Sequence, residues 1–259
     1  MGHIRLGTLP QSKKWRDVVN LLNAGAALEA VTEASARASE LDLKRASDDP
    51  SFQFVARLLV ELPLMARSPD IEVSFEKLGL DTSALTSVST LLSGISDVID
   101  RHAFDLGQSS DLGELARSAL IETLSIKLRD RLPSLFAPEP HEIRSALGQF
   151  ASGQRFAEMA REFFARLTYK SLDYYLSREL ANHTGGEARF ASDADRILFE
   201  KALFLHTFET SRIVEEFAGG WYGKTVWKEQ NLTPQTINQF TQFAFKKMRA
   251  ELGRRHHTA

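Results

Sequence analysis

Apolar residues recur at three- and four-residue spacing through most of this chain, and that period allows little except a helical fold. The last long segment shows it best. Ile237, Phe240, Ala244, Met248 and Leu252 fall on one stripe of a helix, widened by Thr241 and Phe245. Asn238, Gln239, Gln242, Lys246 and Arg249 fall on the opposite side. Thr233-Pro234 marks the start. A threonine hydroxyl can accept from the free N–H groups of a first turn, and proline's fixed φ suits the first helical position. Gly253 is expected to close the helix. The expected class is all-α, a multi-helix bundle.

The same period sets out the upstream helices. Residues 1–10 read as extended, because Gly7 and Pro10 discourage a helix. Ser12 caps a helix carrying Trp15, Val18, Val19 and Leu22, which stops near Gly25. A second helix through Leu28, Val31 and Leu41 is alanine-rich and weakly apolar, so a surface position is expected. Asp48-Asp49-Pro50 opens a third, from Ser51 to Arg67, with Phe52, Val55, Leu58, Leu59 and Leu62 inside and Pro63 placed to kink or end it. In residues 68–80, Ile71, Val73 and Phe75 alternate with polar residues, which suits a loop or one short strand. Asp81 is expected to start a helix through Leu85, Val88, Leu91, Ile95 and Ile99. After a turn at Gly107, another starts at Ser110 or Asp111, and the short link predicts an antiparallel hairpin.

Residues 133–140 break helices on both sides. They are the best boundary between an N-terminal helical lobe, residues 1–132, and a C-terminal bundle, residues 141–259; one continuous domain fits the sequence as well. The C-terminal part is rich in aromatic residues, with Phe156, Phe163, Phe164, Tyr169, Tyr174 and Tyr175 on one long helix over 155–182. Ser192 caps a penultimate helix whose core stripe is expected along Ile197, Leu198, Ala202, Leu205, Phe208 and Ile213. Gly219-Gly220 reads as a helix stop. At least one of Trp221 and Trp227 is expected to be buried between the last two helices.

At 259 residues the chain can bury a large core, and 43% hydrophobic with 25% charged residues is ordinary for a globular protein. With no cysteine there is no disulfide, thiolate metal site or cysteine nucleophile, and a reducing cytoplasm is the expected setting. Apolar runs are short and interrupted by charge, so no membrane span is expected, and the first residues lack the apolar core of a secretory signal. The net charge of −2 conceals basic ends around an acidic middle. Arg5, Lys13, Lys14 and Arg16 stand near the beginning. Lys224, Lys228, Lys246, Lys247, Arg249, Arg254 and Arg255 stand near the end.

Several patterns carry candidate chemistry. Residues 226–230, a left-handed Asn231 and a second helix from Thr233 resemble a helix-turn-helix, with Gln235, Asn238, Gln239 and Gln242 where such a motif faces the major groove. Trp227 stands where that motif wants a small residue, and Gln230 where it wants an apolar one. Ala218 to Thr225 matches a relaxed phosphate loop, but the segment before it reads as helix, and the chemistry needs a strand there. A helix stop with aromatic rings packed on the core is the favoured reading. Glu179 with His183, and His206 with Glu209, share helix faces, yet neither completes a metal-binding pattern, so no metal and no cofactor are expected. Arg178 and His183 show the Arg-x4-His spacing of the all-helical HEPN ribonucleases, a resemblance that implies metal-independent RNA cleavage. Arg161, Arg166, Lys170 and Arg178 beside Tyr169 and Tyr174 suit base stacking with phosphate contacts, or more simply arginines at a core edge.

The reading favoured by the residues is a non-enzymatic interaction protein, a helical subunit or adaptor of a larger bacterial assembly such as a defence system. A protein partner is expected, self-association stays open, and no catalytic residue is assigned. The runner-up is a nucleic-acid binder using Gln235, Asn238, Gln239, Gln242, Lys246, Lys247, Arg249, Arg254 and Arg255. A ribonuclease stands third.

Overall fold

A computed structural model of the chain describes residues 2–4, 13–46, 48–132, 137–186, 188–230 and 232–254. It is almost wholly helical. A short strand β1 (Gly2–Ile4) pairs in parallel with β2 (Gln108–Ser110), Gly2 opposite Gln108 and Ile4 opposite Ser110. The first helices are α1 (Lys13–Asn23), α2 (Leu28–Ala46), α3 (Pro50–Arg67), α4 (Ile71–Glu76), α5 (Val88–Asp105) and α6 (Asp111–Arg129). Then come α7 (Pro140–Gly148), α8 (Gly153–Asn182), α9 (Asp193–Thr210), α10 (Arg212–Tyr222) and α11 (Pro234–Arg254).

The helix starts are chemically marked. Asp49 accepts from the N–H groups of Ser51 at 3.3 Å and Phe52 at 3.0 Å, opening α3 behind Pro50. Ser110 does the same for α6 by accepting from Gly113 N at 2.9 Å, while its own hydroxyl donates to the Asp49 carboxylate. Two helix N-termini thus share one buried cap. Residue 113 must be glycine here, because a Cβ would lie 2.7 Å from that of Ser51.

Helix α8, 30 residues long and so about 45 Å, is the axis on which the others assemble. It packs against α10, α6, α9 and α2. Phe156, Phe163 and Phe164 on it are fully buried. Phe156 stacks on Tyr222 at 4.2 Å, and Phe164 meets Phe240 and Phe245 edge-on. The buried cluster runs from Trp15 to Leu252, and helices before and after residues 133–140 meet within it: α7 on α3, α6 on α8, α11 on α2 and α3. Residues 133–136 lie outside the described residues, as do 5–12, Asn231 and 255–259; residues 2–4, 40–46, 253 and 254 are described by their backbone alone.

Several expectations are corrected. Ile71 and Phe75 lie on a helix, not a strand; spaced by four, they bury together on α4 while Val73 faces solvent. Asp81 caps only a 3-10 turn, and α5 begins at Val88, where Ser87 and Thr90 form a capping box. Helix α3 reaches Arg67 as expected, and Pro63 lies within it without ending it.

Helix α2 is interior over much of its length. Its alanines, serines and threonines are small enough to sit between neighbours, and its hydroxyls are satisfied by their own backbone: Thr32 donates to Leu28 O at 2.8 Å and Ser35 to Val31 O at 2.7 Å. Low hydropathy was a poor guide where size decided. The penultimate helix divides at Ser211, and Gly219-Gly220 do not stop it. Helix α10 runs on to Tyr222 and continues as a π-helical turn, Gly223–Lys228. Gly253 likewise lies within α11, one residue before its end.

Candidate functional site

The glycine-rich stretch owes its composition to packing. A Cβ on Gly219 would lie 2.9 Å from Gly153 O, and one on Gly153 would lie 2.8 Å from Gly219 O, so α10 crosses the start of α8 backbone against backbone. A helix precedes the stretch where a phosphate loop needs a strand, and Lys224 pairs with Glu229 at 3.4 Å. Trp221 stacks on Phe240 at 4.2 Å between α10 and α11, the expected place for one tryptophan, but it is half-buried and not fully enclosed. Trp227 is exposed, and Tyr222, fully buried, is the deeper anchor. Burial holds the Tyr222 phenol well above its ordinary range, a nearby Arg67 charge opposing only weakly.

On α11 the candidate contact residues do not form one free face. Gln235 and Gln239 are exposed, but Gln242 reaches Asp48 Oδ1 at 3.4 Å and Asn238 turns into a cleft shared with Phe54, Arg57 and His102. Lys247 lies over the Phe243 ring at 5.3 Å, and Lys246 and Arg249 are exposed. The turn ahead of α11 differs from the expected motif: residues 223–228 continue α10, and Gln230 takes the left-handed conformation at φ 49°. Arg255 lies outside the described residues.

The largest departure is on α9. Half of its expected core stripe is on the surface: Ile197, Leu198 and Leu205 are 42, 62 and 61% exposed, while Ala202 and Phe208 are half-buried and Ile213, on α10, packs against the core. The helix is held from its other side by Phe199, Leu203, Thr207 and Thr210. Phe199 packs on Phe190 at 5.4 Å, and the Arg189 guanidinium sits 5.0 Å over its ring while donating to Ala26 O at 2.6 Å. The sequence of α9 has two apolar faces, and the one carrying Phe199 and Leu203 is buried.

Beneath the exposed face, a cleft of about 510 Å3 opens between α9 and the α6–α8 pair. Ile197 and Leu205 form its lips, Tyr169 and Phe204 its apolar floor. The cations that the sequence offers for phosphate are neutralised here. Glu122 accepts from Lys170 at 2.7 Å and Arg166 at 2.8 Å, and Arg166 also holds Glu162 at 2.8 Å. Burial alone would raise the Glu122 carboxyl, but Lys170 and Arg166 outweigh it and hold the group below its ordinary range. Burial, with Glu200 beside it, raises Asp173, and burial pushes Tyr169 up to about 12, so its phenol stays protonated. Tyr174 donates to Asp111 at 2.7 Å. Arg161 stacks over Phe208 at 4.5 Å and pairs with Glu215 at 2.9 Å. These arginines bridge helices at a core edge.

Among the described residues no cluster of three or more metal-ligating side chains forms, and no helix is long and apolar enough to cross a membrane. Arg178 is exposed on α8, and His183 follows the end of that helix with its Nε2 buried and unpartnered. No family model, curated protein or solved structure matches the chain.

Proposed function

We propose that the protein is a non-enzymatic helical interaction subunit that docks a partner protein on the outer face of α9. One observation carries this reading: Ile197, Leu198 and Leu205 face water on a well-formed helix above a cleft with an aromatic floor. Contiguous apolar surface of this kind marks association sites, and a cleft of this size accepts one large anchoring side chain.

The occupant is an amphipathic helix with basic residues flanking its apolar stripe. Asp193 and Asp195 stand at one end of α9, and Glu209, Glu215 and Glu216 at the other; Arg196, Lys201 and Arg212 are the cations between them, with Arg196 paired to Asp193 and Glu200, and Glu215 held by Arg161. Such a helix fits a groove by spacing its anchors three and four residues apart. A reducing compartment such as the cytoplasm suits a cysteine-free chain of this kind.

The test is a photo-crosslinking residue at position 205, with position 89, an exposed site on α5, as control. A discrete heterologous adduct from 205, absent from 89 and lost when Leu198→Gln is added, is the expected result. An adduct of two chains of 29.0 kDa would replace the partner with self-association. Equal adducts from both positions, or none from 205, would overturn the reading.

A further inference from the structure

Helix α7 lies across the end of α3, and a cavity of about 340 Å3 opens between them. Its charged lining has one sign. Arg67 and Arg144 converge there with His141 and the neutral donors Ser145 and Gln149, and among the described residues no carboxylate lines it. The contrast with the α9 cleft is direct, because there Glu122 answers both Arg166 and Lys170.

The positions of these groups follow from the fold. Arg144 donates to Ala66 O at 3.0 Å and to Ser68 O at 2.6 Å, using two of its five N–H groups to satisfy the last carbonyls of α3. Arg67, in the last turn of α3, makes one long contact, to Ala151 O at 3.4 Å. Its stem is confined by Gly148, where a Cβ would come within 3.2 Å of Arg67 Cγ. Arg155 engages the Gln149 side-chain oxygen, which turns the Gln149 amide nitrogen into a further free donor. The negative end of the α3 dipole offsets part of this charge, worth about half an elementary charge against two guanidiniums. A net positive, donor-rich cavity remains.

We propose that this cavity binds the phosphoryl group of a small phosphorylated molecule, with Arg67 and Arg144 as its charged ligands and Ser145 and Gln149 as neutral donors. Guanidinium groups match the oxygen spacing of phosphoryl anions and bind them bidentately. The cavity is roomier than one phosphate needs and falls within the roughly 300–1,000 Å3 range of small-molecule sites, so the phosphoryl group arrives on a larger body. This site is independent of the α9 face and stands or falls separately.

The probes are inorganic phosphate, pyrophosphate and a short single-stranded oligonucleotide. They are titrated at fixed ionic strength by calorimetry and by thermal unfolding. Pyrophosphate is expected to bind saturably and raise Tm with concentration. Arg67→Gln, at an exposed side chain whose loss leaves the core intact, should weaken that binding by about tenfold or more, and His141→Ala should weaken it less. Lys246→Gln on α11 should leave it unchanged. Absence of saturable pyrophosphate binding at millimolar concentration would overturn the proposal. Equal loss in the Lys246→Gln variant would do so too, since it would make the effect one of general charge. Oligonucleotide binding that depends on Arg67 while pyrophosphate does not bind would replace the small molecule with a nucleic-acid backbone.

Discussion

Helices α9 and α11 carry the same kind of sequence and meet opposite fates. Each has a stripe of large apolar residues at three- and four-residue spacing. On α11 the stripe is buried, with Ile237, Phe240, Ala244, Met248 and Leu252 at or near zero exposure against α2, α3 and α10. On α9 the large aliphatic residues of the matching stripe, Ile197, Leu198 and Leu205, face water, and the helix is held by its other side. Periodicity establishes that a helix has an apolar face. It does not establish that the same chain covers that face. What decides is whether a second apolar face competes, and on α9 Phe199 and Leu203 compete successfully because Phe190 and Arg189 are waiting for them.

The comparison can be broken by mutation. Phe240→Ala removes a ring that touches Trp221, Phe156, Phe164 and Phe217, and should cost about 3–5 kcal/mol in denaturant titration. Gly219→Ala drives a Cβ against the Gly153 carbonyl, which cannot yield as a side chain would, and should cost about 1–3 kcal/mol. The double variant Leu198→Gln, Leu205→Gln should stay within about 0.5 kcal/mol of the parent while losing the crosslinked partner. If it unfolds as readily as Phe240→Ala, α9 is a core helix and the contrast is false.

A smaller effect is expected from His102, which stacks on Phe54 at 3.9 Å beside the Asn238 cleft. Burial lowers its pKa from the ordinary 6.5, with Asp105 opposing and Arg57 assisting. The folded chain therefore binds fewer protons than the unfolded one. Its contribution to stability is present above the unfolded value and is lost as pH falls below about 6.5 through the folded pKa. Relative to His102→Gln, the parent should lose stability over that range when melting temperatures are compared at pH 7.5 and 5.5. Parallel curves would show that the ring titrates as freely as in the unfolded chain.

The helical class was readable because turn-by-turn spacing is a local property. So were the starts at Asp49, Ser110 and Ser192, where a side-chain oxygen and its N–H partners are three residues apart or fewer. What escaped was relational. Gly219 looked like a helix stop because its reason, the Gly153 carbonyl, lies 66 positions away in the chain. Helix α2 looked peripheral because hydropathy ignores how well alanine and serine fit between helices. The Arg67–Arg144–His141 cluster was invisible because two helices far apart in the chain, α3 and α7, supply it, and neither has a motif of its own. Conversely, Arg166 and Lys170 looked available for phosphate until Glu122, on another helix, was seen to hold both.

The chain has no cysteine, so a thiol introduced at one position reports on that position alone. Leu205→Cys and Met248→Cys place such a probe on the α9 stripe and on the α11 stripe. Their rates of reaction with a water-soluble maleimide, measured under native conditions, compare the two faces directly. The account predicts that the thiol at 205 reacts almost as fast as in denaturant, while the thiol at 248 is protected by at least about a hundredfold, since it reacts only when the structure opens. Comparable protection at both positions would contradict it.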